Sequence, residues 1–158
     1  MRENDQGRAS SLRSKPVRCF GPQDVSWMAG EAAEQNTPIA ILNTFGDSIG
    51  VAALNIALQA VKEELIVSPY VRNALPEGWR LGNFEYRTKS PESISRKIHD
   101  TALVRRWTVQ QAKQAVDDAL RYTMIAPDKS GFCTGLIEAV DYLKQYDYHV
   151  AKMLNTFH

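Results

Sequence analysis

Residues 84–98 read FEYRTKSPESISRKI. The run beginning at Asn83 alternates apolar and polar side chains through Lys89, which predicts an extended segment. Ser90-Pro91 then reads as the N-cap and first position of a helix, because proline at that position forfeits no needed donor. The helix is expected to run to about residue 102. A period of two therefore gives way to a helical period within a few residues. A strand that feeds a helix fits an α/β (α+β) architecture.

Upstream, residues 1–22 are polar and basic and are expected to form a mobile tail. A short helix is expected over 23–35, and Gly46-Asp47 marks a turn and helix start. Over 48–66, Leu54, Leu58, Val61 and Leu65 form one apolar stripe and Ile49, Ala53, Ile56 and Ala60 a second. Such a wide apolar face predicts a largely buried helix. The stretches SPY and LPEGW are expected to break the chain and to separate a helical region (23–80) from a second region (81–158).

Downstream, Thr108-x-x-Gln111 is a capping-box pattern opening a short helix to about Val116. The second half of DALRYTMIA reads as a strand. Pro127-Asp128 and Gly131 turn the chain, and Phe132, Leu136, Val140 and Leu143 mark a helix. YHVAKML reads as a following strand, which predicts a right-handed crossover.

The chain has 158 residues, 44% hydrophobic and 23% charged, with a formal charge of +1. This composition suits a globular domain. The balance of charge creates no global field for nucleic acid or an acidic membrane, so neither is an expected partner. No run of about 18 apolar residues is present, and the first residues carry no signal-type hydrophobic stretch. A cytoplasmic location is expected. Cys19 and Cys133 fit no zinc or redox spacing and read as free thiols in a reducing compartment. His99, His149 and His158 show no dyad spacing. Tyr142, Tyr146 and Tyr148 suit a packing edge better than base stacking.

Basic charge is local. Arg87 and Lys89 would project from one face of an extended segment, and Ser93 and Lys97 share one face of the next helix. A helix N-terminus adds N–H donors and partial positive charge. Together they can converge on a polyanion such as a nucleoside triphosphate, the plain alternative being a solvated basic surface. There is no P-loop and no G-x-G-x-x-G, so side chains would have to build such a site. Phosphoryl chemistry calls for Mg²⁺ on one or two carboxylates. Asp117-Asp118, before the strand-like run, is the best-placed pair; these aspartates could equally just close the preceding helix. Arg121 could reach a phosphate or pair with one of them.

YRTKSPESISRKI followed by DALRYTMIAP resembles the RelA/SpoT-type alarmone synthetase domain, and within it the divergent branch of toxins and phage-associated proteins. The likeness covers about residues 84–157. Arg87, Lys89, Ser93 and Lys97 match the family pattern R-x-K-x-x-x-S-x-x-x-K. The resemblance implies a nucleotidyltransferase-like mixed sheet with flanking helices. It implies transfer of the β,γ-pyrophosphate of ATP to the 3′-hydroxyl of a purine nucleotide, with Mg²⁺. Arg87, Lys89, Ser93, Lys97 and Arg121 would grip the ATP phosphates, and Asp118 would hold the metal. The spacing from Asp118 to Arg121 is shorter than in the larger synthetases, which keeps Asp117 as a rival. Leu154 stands before Asn155 where the family often has lysine. A base-stacking tyrosine and an E-x-Q strand, whose glutamate serves metal and acceptor, are expected beyond His158. Residues 81–158 are therefore expected to be the N-terminal part of the domain, inactive alone. The competing expectation is a non-catalytic nucleotide-binding or interaction protein that retains a degenerate ATP site. The toxin-like branch would bring an immunity protein or further parent-protein domains as partners, and would place the chain in the cytoplasm of the producing cell, or of a target cell if it is a delivered toxin.

Overall fold

The computed structural model describes residues 25–150. The expected tail (1–22), Cys19 and His158 lie outside the described residues. Among the described residues, six α-helices and a small sheet make a helix-rich α+β architecture.

The predicted helix over 23–35 is two pieces. A 3₁₀ turn covers Ser26–Met28 and α1 covers Glu31–Gln35. Gly30 divides them at φ +62°, a conformation that glycine adopts without the Cβ clash other residues meet. Helix α2 (Pro38–Phe45) was not foreseen. Thr37 caps it, its hydroxyl accepting from Ala40 N at 3.2 Å, and Gly46 at φ +79° ends it.

Helix α3 spans Asp47–Asn73 and carries Pro69 inside it, so the expected break at SPY does not occur. Proline costs one backbone hydrogen bond. Burial of Ser68 and Val71 on either side keeps the last turns docked. The stripe of Ile49, Ala53, Ile56 and Ala60 is buried or part-buried as expected, whereas the stripe of Leu54, Leu58, Val61 and Leu65 is buried only in part. Gly50, Ala53, Ala57, Ala60, Val61 and Glu64 are buried, whereas Val51, Leu58 and Leu65 are about half exposed. The small side chains win the inner face because they let neighbouring helices come close. A Cβ on Gly50 would lie 2.8 Å from Leu42 Cδ2 of α2.

Helix α4 (Pro91–Arg105) starts as predicted, with Ser90 as cap and Pro91 at its first position. It packs across α3. Ala53 and Ala57 meet Ile94 and Ile98, and Ala112 of α5 (Val109–Gln114) completes a cluster that is almost fully buried. The capping box of α5 is present in both directions, Thr108 with Gln111. Asp128 Oδ1 accepts from Ser130 N at 2.8 Å in the turn before α6 (Phe132–Lys144).

Strands β1 (Arg80–Gly82) and β2 (Thr123–Ile125) pair antiparallel, Arg80 opposite Ile125 and Gly82 opposite Thr123. The ladder resumes at Thr88 opposite Leu120. Residues 83–87 therefore face only residues 121–122, and the longer side bulges into a 3₁₀ turn over Phe84–Tyr86. The continuous extended segment expected from Asn83 to Lys89 is replaced by this turn. Its alternation of aromatic and polar residues serves the two sides of a bulge. Tyr148–Val150 lie in no strand, and the rest of the expected final strand is outside the described residues. The described sheet is an antiparallel pair whose strands are connected through α4 and α5, without the predicted parallel crossover.

Candidate functional site

The bulge sends consecutive basic residues in different directions. Arg87 adopts helical backbone angles and turns inward, where it is 1% exposed. Its Nε donates to Glu64 Oε1 of α3 at 2.7 Å and its Nη1 to the carbonyl of Phe84 at 3.0 Å. The guanidinium carbon stands 4.2 Å from the centre of the Phe84 ring. Glu64 also accepts from the Ser68 hydroxyl, which lies 2.8 Å from the Tyr122 hydroxyl. Burial pushes the Tyr122 phenol up to about 12. Arg87 therefore belongs to a buried polar network and does not share a face with Lys89.

Lys89 lies beyond the bulge, where the ladder has resumed. Its N–H donates to the Ala119 carbonyl at 2.9 Å, and Arg121 N donates to the Arg87 carbonyl at 2.8 Å. This pairing sets Lys89 beside the Asp117-Asp118 turn. Lys89 Nζ donates to Asp118 Oδ2 at 2.9 Å. Lys97, one turn into α4 from Ser93, donates to Asp118 Oδ1 at 2.8 Å and to Asp117 Oδ1 at 3.0 Å. Partial burial alone would raise the Asp118 carboxyl. The hydrogen bonds and charges of the two lysines overcome it and hold the group at about 2. Burial likewise works against the Lys97 ammonium, yet its two carboxylate partners raise its pKa. The hydrogen bond from Lys97 lowers Asp117.

Lys89, Lys97, Asp117 and Asp118 are thus brought together from three segments. Ser93 sits on the same helix face, its Oγ accepting from Ser90 Oγ at 3.0 Å. Arg121 is exposed, and its Nε reaches the Tyr86 carbonyl at 3.5 Å; it pairs with neither aspartate. The donors expected at the start of α4 are already in use. Glu92 N donates to Asn36 Oδ1 at 3.0 Å, Ser93 N to Ser90 Oγ at 3.2 Å and Ile94 N to the Ser90 carbonyl at 3.0 Å. An anion arriving there would meet side-chain charge before backbone N–H.

A cavity of about 420 Å³ opens beside this cluster, between residues 26–36 and the start of α4, with Lys89, Ser93 and Arg121 in its lining. A second, of about 290 Å³, lies on the other side of Arg121 against Arg87 and Tyr122. Among the described residues, no group of three or more His, Cys, Asp or Glu could hold a metal ion. Asp117 and Asp118 supply two carboxylates, a donor set that suits Mg²⁺ only where phosphate oxygens complete its shell. His99 and His149 are exposed partners of Asp100 and Asp147. Tyr142, Tyr146 and Tyr148 gather with Tyr70 of α3, with ring centres 4.5 Å apart for Tyr70 and Tyr146. Cys133 is a free, exposed thiol. No helix is long and apolar enough to cross a membrane among the described residues.

Glu64, Trp27 and Asn36 shape this region and were not singled out by sequence. For Glu64 a signal exists. It continues the buried row Ala53, Ala57, Ala60 at helical spacing, and a carboxylate on such a face needs a partner.

No family model, curated protein or solved structure matches the chain.

Proposed function

We propose that the Lys89–Lys97–Asp118 cluster binds the phosphates of a Mg²⁺-bound nucleoside triphosphate, as the ATP-site part of a nucleotide pyrophosphokinase of RelA/SpoT type with a nucleotidyltransferase-like fold. In that reaction the 3′-oxygen of an acceptor purine nucleotide attacks the β-phosphorus of ATP and AMP departs. The observation that carries the reading is the convergence of two lysines, from separate elements, on one carboxylate beside a polar cavity. Two ammonium groups held together within a few ångströms are a prepared site for a polyanion. The aspartates hold the lysines in place until phosphate oxygens replace them. Asp118, with Asp117 as rival, would hold the ion, whose role is to neutralise phosphate charge. Ser93 and Arg121 lie close enough to the cavity to contribute, whereas Arg87 supports the bulge that precedes Lys89.

Titration calorimetry with Mg–ATP tests the binding step. Saturable binding is expected, weakened about tenfold or more by K97A and by K89A. Binding that both variants leave unchanged would sink the reading. Chromatography of ATP incubated with purine nucleotides tests transfer. A second reading, non-catalytic nucleotide binding, is favoured by the burial of Arg87 against Glu64, which withdraws one cation from the ligand side. Saturable binding of Mg–ATP with no transfer product would select it.

A further inference from the structure

We infer that the cavity between residues 26–36 and the start of α4 takes the planar base of the nucleotide, with Trp27 as one wall. The inference rests on the nucleotide-binding reading above and adds to it a subsite on an N-terminal segment that the motif residues do not include. The cavity, about 420 Å³, falls in the size range of small-molecule sites, about 300–1,000 Å³. Trp27, Tyr86, Asn36, Lys89, Ser93 and Arg121 contribute to its lining. Two aromatic rings, an amide and two cations around one space are the groups that recognise a flat, polar-edged ring next to phosphate.

The wall is held in place. Trp27 packs against the buried cluster of α3, α4 and α5, and its Nε1 donates to Thr88 Oγ1 at 3.1 Å. Asn36 ties the far end of the segment down, donating to the Ala32 carbonyl at 2.7 Å and accepting from Glu92 N at 3.0 Å. A ring fixed before the ligand arrives loses little freedom on binding. Tyr86, 54% exposed, offers a second ring. The division of labour follows from the donors. The N–H groups at the start of α4 are taken, so the cavity holds no backbone cradle for phosphate. The ammonium pair lies at its Lys89 edge, where Lys97 meets Asp118. Phosphates go to that edge and the base to the cavity.

The test compares Mg–ATP with Mg–tripolyphosphate, which lacks the nucleoside, on the wild type, W27L and W27F. The wild type is expected to bind ATP about tenfold more tightly than tripolyphosphate. W27L is expected to lose that advantage while keeping its affinity for tripolyphosphate. W27F, which keeps a ring, should stay within about threefold of wild type for ATP. ATP should quench tryptophan emission in the wild type and not in W27F, because Trp79 stacks on Phe132 and Trp107 lies under Arg105, both outside the cavity. Equal affinity of the wild type for both ligands would overturn the base subsite while leaving the phosphate site standing. So would a W27L variant, with a melting temperature close to wild type, that binds ATP unchanged. Binding of neither ligand would overturn both proposals.

Discussion

Asp118 carries two ammonium groups, one on each oxygen. Its folded pKa, about 2, lies below the ordinary carboxylate value. The stabilisation is therefore complete above about pH 4 and is lost as pH falls through about 2. The side chain is 40% exposed, so solvent screens the pair, and D118N is expected to cost only about 1 kcal/mol at pH 7. Urea midpoints of wild type and D118N should converge between pH 4 and pH 2.5. Glu64 differs in kind. Its partner Arg87 is buried, so E64A would break a buried, hydrogen-bonded ion pair and is expected to cost about 3 kcal/mol or more. The double replacement E64M/R87M removes both charges and should recover most of that loss. Equal denaturation midpoints for E64A and wild type would contradict the pairing.

At the scale of elements, local chemistry decided the ends and tertiary contacts decided the exceptions. Ser90-Pro91 and Thr108-x-x-Gln111 carry their caps within a few residues, so α4 and α5 were legible from sequence. T108A is expected to lower stability by about 1 kcal/mol in thermal melts. Pro69 was misread because its tolerance depends on burial of its neighbours along α3. The bulge was misread because Arg87 turns inward to Glu64, a partner 23 residues upstream. The cluster of Lys89, Lys97, Asp117 and Asp118 was legible as residue types at helical and strand-end spacing. The path of the chain through the bulge, which separates Arg87 from it, was not. A further test lies in α6. Gly to Ala inside a helix ordinarily stabilises by about 1 kcal/mol. A Cβ on Gly135 would sit 2.6 Å from the Trp79 indole, so G135A should instead lower the melting temperature.

For the whole molecule, stability should be graded. Ala53, Ala57, Ile94 and Ile98 form the interior where α3 and α4 cross, and their amides are expected to exchange most slowly with deuterium. Residues 29–35, with a short helix and mostly exposed side chains, should exchange far faster. Slowest exchange in the β1–β2 pair instead would place the stable centre elsewhere. The bulge at 83–87 also sets a parity. Side chains on the two sides of a ladder alternate, so the number of residues in the detour decides which of Thr88 and Lys89 faces Asp118. Losing one residue there would exchange them, turning a hydroxyl toward the carboxylates and driving an ammonium against Trp27. Losing two would restore the phase but shorten the reach. Insertions and deletions in this detour should therefore act by odd or even count, more than by the identity of the residues removed.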